Sequence, residues 1–120
     1  PLLVVLILLI RSHAIKGGKK ITPQELINLT NQDAAQLIDL RSSSEFNDGH
    51  ITGSINIPYS DIEDRIHEIK KQEGRSLVLI CDTGSQSANA GEVLNKSGFE
   101  NTVILSGGIG AWRLDNLPLV

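Results

Sequence analysis

The stretch SLVLICDTGSQSANAGEVL, Ser76 to Leu94, decides how the chain is read. Its opening run, Ser76 to Cys81, is apolar without alternation, as expected of a strand covered on both faces. A polar turn with one glycine, Gly84, follows. The next segment is predicted to be helical to about Ser97, with Gly98 as its stop. In open parallel sheets, ligands gather at the carboxyl ends of the strands. Cys81 stands at such an end.

The segment Cys81, Asp82, Thr83, Gly84, Ser85, Gln86 and Ser87 is therefore the candidate site. Curled into a cradle, its backbone N–H groups would point at one place, and the helix N-terminus would add partial positive charge there. Gly84 permits positive φ and close backbone approach. A thiolate among those donors is stabilised and stays nucleophilic. The same donors can hold an anion such as a sulfonate or phosphate. The competing reading is a buried cysteine serving as a small hydrophobe. The position before a Gly/Ser turn and a helix favours chemistry. Asp82 works against it, because a carboxylate pointing inward opposes thiolate formation, and the loop has no Arg or Lys.

Outward from this stretch, Thr22-Pro23-Gln24-Glu25 reads as a helix start with a capping box, the helix running to about Thr30. Gln36 to Leu40 and Ser54 to Ile57 are short strand candidates. Ser60 to Glu63 reads as a second capping box, and Ile62, Ile66 and Ile69 give an apolar stripe on a helix to about Glu73. Thr102 to Leu105 is a further strand, and a last helical segment falls near Ala111 to Leu114. Strands alternating with helices predict an α/β fold with a largely parallel sheet.

The 120 residues suit one domain that buries its own core. A net charge of -3 and 3% aromatic residues argue against a nucleic-acid partner. A single cysteine rules out internal disulfides and multi-cysteine metal sites, and His13, His50 and His67 show no ligand spacing.

Residues 1–20 contain Arg11, Lys16, Lys19 and Lys20 and no acid, while all fourteen Asp/Glu lie beyond them. Pro1 to Ile10, PLLVVLILLI, has no polar side chain. Ten helical residues rise about 15 Å, whereas a bilayer core takes about 20 residues. Three readings compete: the end of a transmembrane helix, a signal-peptide core, and a buried element. The basic flank favours the first, with upstream residues completing the span and the domain held in the cytoplasm. The division is then 1–19, a partial anchor with a basic linker in which Gly17 and Gly18 form a flexible joint, and 20–120, the folded domain.

Three blocks resemble the rhodanese-like domain family of sulfurtransferases. They are LIDLRSSSEFNDGHITGSINIP (Leu37 to Pro58), LVLICDTGSQSANAGEVLNKSGF (Leu77 to Phe99), and GGIGAW (Gly107 to Trp112) followed by LPLV. The basic-flanked apolar lead resembles bacterial members with one membrane anchor. The resemblance implies a five-stranded parallel sheet with helices on both faces. It also implies a persulfide on Cys81, fed by thiosulfate, a polysulfide or a protein persulfide and emptied by a thiol or cyanide. No metal or organic cofactor is implied, and the domain is expected to act as a monomer. Many members have a basic residue in the cysteine loop. Ser85 and Gln86 stand there here, so thiosulfate is expected to be a poor donor. Cysteine phosphatases and arsenate reductases on related folds use a Cys-x5-Arg loop, and the sixth position after Cys81 is Ser87. A non-catalytic interaction module is the other alternative, against which the retained Cys81 counts. Asp39, Arg41 and Glu45 are expected to form an ion-pair network, His50 to bond backbone, and Trp112 to be core.

Overall fold

The computed structural model describes residues 17–120. Its elements are β1 (Lys19–Ile21), α1 (Pro23–Asn31), β2 (Ala35–Asp39), α2 (Ser43–Asp48), β3 (Ile55–Asn56), α3 (Ile62–Arg65), β4 (Ser76–Ile80), α4 (Ser85–Lys96), β5 (Thr102–Leu105) and α5 (Gly108–Leu114). The strands form one all-parallel sheet in the order β1-β5-β4-β2-β3.

The unbroken apolar run of β4 is explained by two cores, one on each face. Leu77, Leu79 and Cys81 enter a cluster with Ile62, Ile69, Ala90 and Leu94. The alternate residues Val78 and Ile80 enter another with Leu26, Ile109 and Trp112. The period-two alternation of strand side chains thus sends Cys81 toward α4. β2 and β4 are neighbours, yet their outgoing connections leave in opposite directions, to β3 and to β5. A crevice opens at the carboxyl ends of such a strand pair.

α1 begins as its sequence predicts: Thr22 accepts from Glu25 N, and the Glu25 side chain returns to the Thr22 N–H. The 60–73 region differs from expectation. Ser60 makes no cap, and the chain forms a 3₁₀ turn (Tyr59–Asp61), the four-residue α3 and a second 3₁₀ turn (Ile66–Glu68). Ile69 is already extended and turns into the core beside Ile62, which ends the helix short of Glu73.

The expected membrane-anchored placement with a cytoplasmic domain is corrected. Among the described residues, no helix is long and apolar enough to cross a membrane. The apolar run Pro1 to Ile10 on which that expectation rested is too short to cross alone and lies outside the described residues. Gly17 and Gly18 are not a loose joint either. Gly17 is buried against α4, where a Cβ on Gly91 would strike its carbonyl oxygen, and that oxygen accepts from Thr102 Oγ1 at 3.3 Å.

Candidate active site

The loop after β4 is built around the sulfur. Cys81 is 1% exposed, and its Sγ accepts the Gly84 N–H at 2.9 Å. This contact closes a tight turn, which Gly84 can make because its φ is +101°. Gly84 is also the N-cap of α4 and offers no side chain to that helix end. With no acid in the first turn, the helix's free N–H groups and its positive end are left for the sulfur or an anion.

The carbonyls on the other side of the loop are tied away. Ile109 N donates to Cys81 O at 2.9 Å and Gly110 N to Asp82 O at 3.1 Å. The first turn of α5 thereby holds the loop by its acceptors. Sequence reading started this helix at Ala111 and missed the clamp. Gly107 and Gly108 at positive φ are the signal that a backbone approach was needed.

The predicted site residues take different places. Asp82, Thr83, Ser85 and Gln86 are exposed on the rim, with Thr83 Oγ1 and Ser85 Oγ 3.4 Å apart. Ser87 is fully buried on the sheet-facing side of α4. No Lys or Arg belongs to the loop.

The neighbouring wall comes from β2 and α2. Asp39, which aligns with Ile80 in the sheet, is fully buried and takes a fork from Arg41, with Nη2 to Oδ2 at 2.8 Å and Nε to Oδ1 at 3.1 Å. Arg41 Nη2 also donates to Gly49 O at 2.7 Å and Nη1 to Glu45 O at 3.4 Å. The pair therefore ties α2 and its C-cap residue to the strand. Its desolvation is compensated because the guanidinium's remaining donors find carbonyls. Glu45 joins through its backbone, not its carboxylate as expected. That carboxylate accepts from Ser42 Oγ at 2.9 Å, which holds it below the usual carboxylate range. Asp82 is pushed the other way, first by desolvation and then by the facing Glu45 carboxyl. The pairing of Glu45 with Asp82 had no signal in the sequence.

His50 Nδ1 lies 2.8 Å from Phe46 O, and the His50 ring stacks on Phe46. The ring's contact with the Phe46 carbonyl is the backbone bond expected of it, and its own backbone exchanges two hydrogen bonds with Val120, which was not foreseen. Trp112 is buried and donates to Pro118 O at 3.0 Å. A cleft of about 400 Å³ between Lys70, Arg75, Leu77 and Phe99 lies at the amino-terminal end of the strands, away from this chemistry.

Comparison with known proteins agrees with the geometry. The sequence profile of the rhodanese-like domain matches residues 22–115. The uncharacterized protein YibN of Escherichia coli (strain K12) is 35% identical over 103 residues, which are 85% of this chain and 72% of that protein. The thiosulfate sulfurtransferase GlpE of Shewanella oneidensis is 33% identical over 82% of this chain and 95% of its own length. The crystal structure of a rhodanese-related protein from Thermoplasma volcanium superposes with a TM-score of 0.76 at 31% identity, covering 85% of this chain and 97% of that one. The parallel five-stranded sheet, the cysteine turn at the carboxyl end of β4 and the match over most of the chain have one reading: this chain belongs to the rhodanese-like domain family.

Proposed function

We propose that the chain is a sulfurtransferase that carries sulfane sulfur on Cys81. The observation that supports this most is the Gly84 N–H on Cys81 Sγ at the uncapped N-terminus of α4. A sulfur anion at that place meets backbone donors that are already oriented, so little reorganisation accompanies the reaction. The likeness to GlpE, named a thiosulfate sulfurtransferase, supports the same chemistry.

In the first half-reaction the Cys81 thiolate attacks the outer sulfur of the donor. The new S–S bond forms as the donor's own bond to that sulfur breaks, and the electron pair leaves with the donor. Thiosulfate would depart as sulfite, and a polysulfide would depart one sulfur shorter. The product is Cys81–S–S⁻. In the second half-reaction a thiol or cyanide acceptor attacks the outer sulfur, and the electron pair of the breaking S–S bond returns to Cys81 as thiolate. The cycle is ping-pong.

The rim favours a polysulfide or protein persulfide over thiosulfate as donor. Thiosulfate carries a sulfonate-type oxyanion head, which would meet the carboxyls of Asp82 and Glu45 with no guanidinium in the loop to hold its oxygens. For the same reason phosphatase chemistry is disfavoured, since no arginine of the loop can fork onto an oxyanion.

Cys81→Ser replaces the nucleophile with a near-isostere. It should leave thermal unfolding close to wild type and abolish transfer from polysulfide to cyanide. Turnover retained in Cys81→Ser would refute the persulfide route.

A further inference from the structure

Among the described residues, Ser87 Oγ is the one buried side-chain oxygen or nitrogen without a hydrogen-bond partner. Its residue is fully buried. Removing a hydroxyl from water without giving it a partner costs stability, so its presence calls for a state in which it is bonded.

Its place indicates that state. Ser87 is in the first turn of α4 and shares the buried side of the helix with Ala90, Gly91 and Leu94. Ala90 and Leu94 pack in the same core cluster as Cys81. Ser87 lies one turn before Ala90, at the end of that face nearest the cysteine loop. In the structure Cys81 Sγ takes only the Gly84 N–H and no hydrogen bond from Ser87, and a thiol sulfur is a weak acceptor. A thiolate is a much stronger acceptor with room for further donors.

We propose that the Ser87 hydroxyl donates to Cys81 Sγ when the thiol loses its proton, so that a buried group idle in the resting protein stabilises the nucleophile. This rests on Cys81 being the nucleophile, but it concerns the thiolate itself and not the donor. The charged groups around the loop are Asp82, Glu45 from α2, and the Asp39–Arg41 pair at the end of β2. None is altered by a change at Ser87.

The test is the ultraviolet titration of the thiolate in the whole chain, with Cys81→Ser as baseline. The protein has one cysteine, so the signal belongs to Cys81 alone. In Ser87→Ala the titration midpoint should rise by about one pH unit, a tenfold loss of thiolate below it. Ser87→Thr, which restores a hydroxyl, should return it toward wild type. The unfolding temperature of Ser87→Ala should stay level or rise, because an unpaired buried group has been removed. An unchanged titration curve in Ser87→Ala would overturn the proposal. A lowered unfolding temperature with that unchanged curve would assign the hydroxyl a structural partner instead. Should the midpoint shift as predicted while no donor loads sulfur onto Cys81, the sulfurtransferase reading would fail and the role of Ser87 would stand.

Discussion

At the scale of single residues, the proposed preference among sulfur donors rests on the rim carboxyls. Desolvation, followed by the facing Glu45 carboxyl, raises the Asp82 carboxyl above its ordinary range. A carboxyl raised in the folded state binds its proton more tightly there than in the unfolded chain. Its contribution to stability is therefore present at low pH and lost as pH rises from the unfolded value through the folded one. Glu45, lowered by its Ser42 hydrogen bond, acts in the opposite sense and loses its contribution on acidification. Asp82→Asn removes one charge from the cysteine loop. Its KM for thiosulfate at neutral pH should fall about threefold to tenfold at low ionic strength, and salt should close the gap to wild type because the rim is exposed. Equal KM values at low salt would show that the rim does not select. Asp82 was legible as a threat to the thiolate because it follows Cys81 in the chain. Glu45 was not, because only the fold of α2 against the β4 loop brings it there.

At the scale of elements, α5 is a clamp on the cysteine loop. Gly108 has φ +58°, and a Cβ there would run into the Cys81 carbonyl oxygen and within 2.7 Å of the Asp82 carbonyl. Gly108→Ala combines a left-handed conformation with a backbone clash and should cost about 2–4 kcal/mol. Denaturant unfolding measures this, and a midpoint equal to wild type would show that the clamp is not tight. Sequence periodicity placed α4 and β5 within a residue or so, because the glycine turn, the glycine stop and the apolar runs agree there. It began α5 late because three glycines in GGIGAW lower helix propensity, whereas tertiary bonds to Cys81 and Asp82 start the helix at Gly108. It passed over α2, although Ser42 and Glu45 form the capping pattern that the structure uses. It also missed β1, whose Lys19 and Lys20 look like linker and are the exposed residues of an edge strand.

At the scale of the whole molecule, the sheet order places β2 beside β4 and sends their exits apart, and the single cysteine sits at the carboxyl end of β4 beside this switch point. Alternation along β4 was hidden within its unbroken apolar run, since both faces are core, so which face receives Cys81 was not readable before the sheet was known. The order of strands likewise has no local signal, and the resemblance of the three motif blocks implied five parallel strands without their order. The chemistry at Cys81 follows from this architecture only if the sulfur is loaded and unloaded. Intact-mass measurement of the protein after exposure to polysulfide reads that step directly. Wild type should gain the mass of one sulfur atom, lose it on addition of cyanide, and show neither change when Cys81 is replaced by serine. A wild-type protein that takes up no sulfur, or a Cys81→Ser protein that takes it up equally, would contradict a persulfide on Cys81.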